Sequence, residues 1–157
     1  MNRFTWSKEL ATGFADIDTQ HQHLIAILDR LVTRTNSGEV LSAGELESVV
    51  GELADYARQH FDTEVRLMLD SCCDLRHVQK HVREHENFVR HVSLVREALA
   101  DSRRDEGVEL ARYLGEWFSR HIGGFDLSMA RQVQRIRGGE TPEAAYAGEQ
   151  PKLALVA

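Results

Sequence analysis

His77-Val78-Gln79-Lys80-His81-Val82-Arg83-Glu84-His85 repeats histidine at every fourth position. That interval sets side chains on one face of an α-helix. Histidine is the commonest metal-ligating side chain, and two on successive turns can grip one ion. The stretch is therefore either a solvated helix face or part of a metal site. Forward of it, Phe88, Val92, Val95 and Leu99 extend an apolar seam by alternating steps of four and three. Read backwards, the same seam takes in His85, His81 and Val78 and leaves His77 at its edge.

Three more seams share this rhythm. The first is Ile17, His21, Leu24, Leu28 and Leu31; the second is Leu46, Val50, Leu53, Ala57, His60, Glu64 and Leu67; the last is Leu110, Leu114, Trp117 and His121. Breaks separate them at Asn36-Ser37-Gly38, at Asp70 to Asp74 and at Asp101 to Asp105. Ser42 and Glu45 have capping-box spacing, and Asp74 stands where a third helix needs an N-cap. The pattern predicts an all-α fold: an antiparallel, up-down-up-down four-helix bundle. An N-terminal arm, residues 1–16, is anchored by Phe4, Trp6, Leu10 and Phe14. Met129, Val133 and Ile136 predict a short C-terminal helix with Arg131, Arg135 and Arg137 on its other faces. The bundle domain is expected over residues 1–137, and residues 138–157 as a loosely docked or disordered tail.

Bulk properties narrow the function. The chain has 157 residues, 42% hydrophobic and 28% charged, enough for one domain with a substantial core. A net charge of −6 argues against nucleic acid as a partner, because phosphate binding needs a basic surface. No apolar run reaches the roughly 18 residues of a membrane span. No apolar signal core opens the chain, which gives the expectation of a cytoplasmic protein. Cys72 and Cys73 are adjacent and alone, which makes neither a disulfide framework nor a zinc knuckle.

His21, His60, Glu64, His81, His85 and His121 occupy positions otherwise held by Leu, Val and Phe, and a buried polar group left unpaired costs several kcal/mol. Alternating helix directions bring them to one end of the bundle, because His21, His81 and His85 fall early in their helices and the others late. Centring the turn between helices two and three on Cys72-Cys73 favours His81 and His85 over His77 and His81. Asp126 lies five residues after His121, off the seam of a continuous helix. A break at Gly123-Gly124 is expected to swing it back. Seven donors exceed the four of tetrahedral zinc and suit two ions bridged by both carboxylates. Nitrogen and oxygen donors point to iron, with manganese or zinc as alternatives.

The motifs Ile17-Asp18-Thr19-Gln20-His21, His60-Phe61-Asp62-Thr63-Glu64, His81 to His85 with Phe88, and Trp117 to His121 with Asp126 resemble the hemerythrins, specifically the single-domain bacterial ones. The resemblance spans roughly residues 4–130, and Phe88 in its place selects His81 and His85 over His77. It implies a non-haem di-iron centre with a bridging oxo or hydroxo group that binds O2 reversibly. His81, His85 and His121 would hold one iron, His21 and His60 the other, and Glu64 and Asp126 would bridge them. Leu24, Leu28, Phe61 and Phe118 are candidates for a dry wall around the O2 pocket. Three features depart from the family pattern: Cys72-Cys73 in place of Tyr-Pro, Met129 where tyrosine is usual, and Phe118 where leucine is common.

Carriage, storage or sensing of O2 without catalytic turnover is the expected role, with O2 as ligand and an unidentified redox or oxygen-accepting protein as a candidate partner. The alternatives are a di-iron oxidase or peroxidase, or an iron or redox sensor acting through a partner. No Glu-x-x-His occurs in the chain, whereas oxygen-activating carboxylate bundles use that motif. His77 is expected as a neighbour of the site rather than a ligand, His23 and His91 as solvated, and Asp18 as either a helix cap or a partner of a ligand.

Overall fold

A computed structural model describes residues 5–36, 42–101 and 104–150. Phe4, Ser37-Gly38, Ser102-Arg103, the side chain of Leu110 and residues 151–157 lie outside the description. Four long helices form the body: α1 (Ala15–Asn36), α2 (Ala43–Asp70), α3 (Leu75–Ala100) and α4 (Arg104–His121). They pack around a ring, α1 on α2 and α4, and α3 on α2 and α4, with a lesser contact across it between α2 and α4. Among the described residues there is no strand.

The chain's local chemistry sets the helix ends. At α2 the Ser42 side chain accepts from Glu45 N–H, and the Glu45 carboxylate accepts from Ser42 N–H. Asp74 accepts from Arg76 N–H at 2.8 Å and opens α3. Between them, Cys72 takes a left-handed φ of 54° and Cys73 N–H closes on Met68 O, a Schellman-type helix end. Asp18 resolves as a clasp at the start of α1. It accepts from Thr12 N–H and Oγ1, both at 2.7 Å, and from Gly13 N–H at 3.1 Å. The turn puts Gly13 at φ +83°, where a side chain would be strained.

The seams face inward as expected, with one slip at the end of α2, where Met68 is buried and Leu67 half-buried. Two apolar clusters result. The larger holds Leu24, Leu28, Leu31, Leu46, Val50, Leu53, Phe88, Val92, Val95, Leu99, Leu114 and Phe118. A smaller one gathers Ile17, Met68, Cys73, Val78, Met129 and Val133. Along α1, α2 and α3, and from α4 onward, the seven predicted polar residues fall between members of one cluster and members of the other, so apolar packing closes the polar layer from both sides. Each buried Leu, Val or Phe contributes about 1.5–3 kcal/mol.

Two expectations need correction. The helix does not break at Gly123-Gly124; it widens into a single π-helical turn, Ile122–Asp126, and continues as α5 (Leu127–Arg137). Nor are the described residues after Gly138, up to residue 150, loosely docked. Residues Pro142–Glu149 form α6, with Thr141 accepting from Ala144 N–H and Pro142 at the first position. Ala145 and Tyr146 are buried, and Arg131–Glu149 and Arg135–Glu140 ion pairs tie α5 to α6 and its leading turn. Two inward residues are too few to show periodicity in sequence.

Candidate metal centre

The π-turn decides the geometry. Its bonds run from i to i+5, the interval between His121 and Asp126, so the insertion that widens the helix also brings the carboxylate back over the histidine. Asp126 Oδ1 then lies 3.1 Å from His121 Nε2 and 3.1 Å from His81 Nε2, while Oδ2 lies 3.0 Å from His21 Nε2. Glu64 straddles the site in the same way. Its Oε2 faces His85 and His81 Nε2 at 3.1 and 3.4 Å, and its Oε1 faces His60 and His21 Nε2 at 3.4 and 3.9 Å. All seven residues predicted from the sequence meet here, and all are buried.

The donor atoms converge without satisfying one another. Both oxygens of Glu64 and of Asp126, and Nε2 of His21, His60 and His81, are buried with no aligned hydrogen-bond partner. His85 and His121 turn their Nε2 atoms toward each other at 3.2 Å. Buried lone pairs aimed at common points are what a metal ion satisfies. Two overlapping groups have the compactness to hold one: Glu64, His81, His85 and His121, and His21, His60, Glu64 and Asp126. The residues present therefore fit bound metal, and Glu64 belongs to both groups.

The charges agree. Burial pushes both carboxyls up, but the surrounding imidazoles outweigh it and hold Glu64 and Asp126 below the usual range. Burial lowers His60, and it lowers His85 to about 4. His81 feels the same burial, yet its contacts with Asp126 and Glu64 raise it to about 9. Ionised carboxylates, with His60 and His85 disposed by burial to be neutral, are donors of the kind a divalent ion needs, and the proton on His81 is one that metal displaces.

A family model described as the hemerythrin HHE cation binding domain matches residues 12–133. The chain belongs to the hemerythrin family. It is 31% identical to a bacteriohemerythrin of Stenotrophomonas maltophilia, and 32% identical to those of Pseudomonas aeruginosa and Pseudomonas paraeruginosa. Each match covers 85% of this chain and 84% of the relative. No solved structure matches it.

Around this hemerythrin-type cluster the aromatic residues divide by side. Phe118 stands near His21 and His60, with ring centroids 6.3 and 6.1 Å away. Phe61 lies flat on His85, at 3.8 Å and 10°. Leu24 and Leu28 are fully buried in the larger core cluster. Met129 packs in the smaller cluster instead. Trp6 brings the arm to 6.3 Å from His21. Trp117 stacks on His121 at 4.4 Å, and Phe125 stacks on it from 5.5 Å.

His77 is buried but belongs to neither ligand group. Burial, with His81 and Lys80 beside it, pushes it down to about 4. His23 is exposed and stacks on Tyr56; His91 is half-buried against Tyr113. Sequence reading missed Gln20, whose Oε1 lies 3.1 Å from His60 Nδ1, and Gln132 beside His77. A glutamine has no distinctive spacing to betray such a role. Cys73 is buried and its thiol is pushed up to about 11 by that burial and by Cys72, so it is a packing residue at neutral pH. No described helix is long and apolar enough to cross a membrane.

Proposed function

We propose that the chain binds O2 reversibly at a carboxylate-bridged pair of iron ions, for carriage, storage or sensing, and without catalytic turnover. The observation that carries this reading is the double straddling of Glu64 and Asp126: each carboxylate presents oxygens to imidazoles of both groups. His81, His85 and His121 would hold one ion and His21 and His60 the other, which leaves the second with fewer protein donors and room for a ligand. The iron pair supplies the electrons that reversible O2 binding draws on.

The chain's own residues control what else reaches that position. Phe118 of α4 stands beside His21 and His60, the two histidines of that ion, and Leu24 and Leu28, which follow His21 on α1, are fully buried apolar side chains. Exclusion of water and acids favours return of intact O2 over loss of a reduced product. His60 donates from Nδ1 to Gln20 Oε1, which points its Nε2 inward. A cytoplasmic location and a redox or oxygen-accepting protein partner belong to the same proposal.

The test is to reduce the protein without air, count its iron, and follow the visible spectrum through repeated admission and removal of O2. Two irons per chain and a colour change that reverses over many cycles are expected. Immediate irreversible oxidation, or consumption of peroxide with turnover, would replace the carrier reading with an enzymatic one. A single zinc ion would sink both.

A further inference from the structure

His81 sits between the two carboxylates on one side and His77 on the other. Its Nε2 faces Asp126 and Glu64, so Nε2 is the nitrogen that would hold metal. A neutral imidazole that gives Nε2 to a metal carries its proton on Nδ1. That Nδ1 lies 3.4 Å from Nε2 of His77, so His81 donates and His77 accepts. Accepting at Nε2 leaves the single proton of a neutral His77 on Nδ1, which faces Gln132 Nε2 at 2.9 Å, while Gln132 Oε1 is buried with no hydrogen-bond partner among the described residues. A ring N–H needs an oxygen there. The amide of Gln132 has the same outline either way round. With Oε1 toward His77 it accepts, and Ser128 Oγ, 3.3 Å from the same end of the amide, can donate to that oxygen too.

The three side chains are buried, His77 at 5% exposure and His81 and Gln132 at 0%, so water does not substitute for either bond. Tyr146 of α6 closes the outer side, its ring 6.5 Å from His77. Lys80 Nζ donates to the Tyr146 hydroxyl at 2.7 Å, and the Arg76 guanidinium lies 4.6 Å over its ring. The arrangement is particular to this ligand. His60 leans on a glutamine oxygen, and Nδ1 of His21 and of His121 has no hydrogen-bond partner among the described residues. Among the described residues, His81 is the one of these imidazoles given a second imidazole as hydrogen-bond partner at Nδ1.

We propose that His77 and Gln132 are positioning residues of the metal centre: their hydrogen-bonded chain fixes the proton of His81 on Nδ1, aims its Nε2 inward and strengthens it as a donor. The inference rests on the metal-centre reading above. Partners of this kind typically change metal affinity by about ten- to a hundred-fold.

The full chain is loaded with zinc(II), which is diamagnetic, and ring-nitrogen NMR on histidine-labelled protein locates the protons. The expected result is a proton on Nδ1 of both His81 and His77. Gln132→Met, which keeps an unbranched chain of similar length but removes the acceptor, is expected to lower zinc(II) affinity in a chelator competition by about ten-fold or more. Gln132→Glu, which restores an acceptor, is expected to recover it. A proton on Nε2 of His77 would overturn the inference, and so would equal affinities for wild type and Gln132→Met. The tautomer is read in the unaltered protein and does not depend on a variant folding. A chain that takes up no metal would overturn the metal-centre reading and this inference together; metal bound with the other tautomer would overturn this inference alone.

Discussion

Phe61 lies face to face with His85 and forms the floor of an apolar groove of about 510 Å3 between α2 and α3, which Val65, Val82 and Val89 also line. It is the one side chain of the expected pocket wall that lines this groove. Phe61→Ala would leave a cavity and cost about 3–5 kcal/mol, confusing exposure with unfolding. Phe61→Leu keeps most of the volume and uncovers the imidazole edge. We expect it to keep the metal content of the wild type and to speed oxidation of the reduced, O2-exposed protein several-fold, measured as the decay of the visible band. An unchanged rate would show that water does not enter by this face. The same logic separates the neighbouring histidines: His85→Ala is expected to lose bound metal, whereas His77→Ala keeps it with weaker affinity, as metal analysis after dialysis will show.

Helices were legible where they carry many residues of one pattern. Ile17 to Leu31 and Val78 to Leu99 declare their faces through alternating steps of three and four, and burial follows that phase. α6 was illegible because only Ala145 and Tyr146 turn inward. The π-turn was illegible for another reason: its cause is a demand of the site, the return of Asp126 over His121, and not a local propensity. Gly123-Gly124 marked the place but not the remedy. The capping box at the start of α2 was read correctly, and it makes a prediction about pH. The Ser42 backbone N–H and then the Arg34 guanidinium hold the exposed Glu45 carboxyl down from 4.5 to about 2. A depressed folded pKa gives stability that is present above 4.5 and lost as pH falls from there through about 2. Ser42→Ala is expected to cost about 1 kcal/mol at neutral pH. Alanine keeps the backbone N–H and loses only the Oγ contact with Glu45, so the difference from wild type in denaturant melts is expected to shrink in part across that acidic window; a difference constant from pH 6 to 2 would separate the cap from Glu45.

Along its length the molecule runs from an apolar end, held by Leu31, Leu46, Val50, Val95 and Leu99, to a polar end, where a layer of five imidazoles and two carboxylates is closed off by the smaller apolar cluster. The first end folds by burial alone. The second places ionised carboxylates and lone pairs out of water, an arrangement that costs several kcal/mol unless a cation satisfies them. Metal that binds the folded chain and not the unfolded one adds about 2.7 kcal/mol when present at a hundred times its dissociation constant, or roughly 5–10 °C in melting temperature for a chain of this size. Removal of metal by a chelator is therefore expected to lower the melting temperature by about that much. The loss is also expected to be local, because the two ends draw on different forces. Hydrogen exchange in the stripped protein is expected to rise first around His60 to Glu64, His81 to His85 and the Ile122–Asp126 turn. Amides near Val50 and Val95 are expected to keep their protection. A uniform rise along all four helices would mean that the bundle folds as one cooperative unit around its metal, and that the apolar end cannot stand without it.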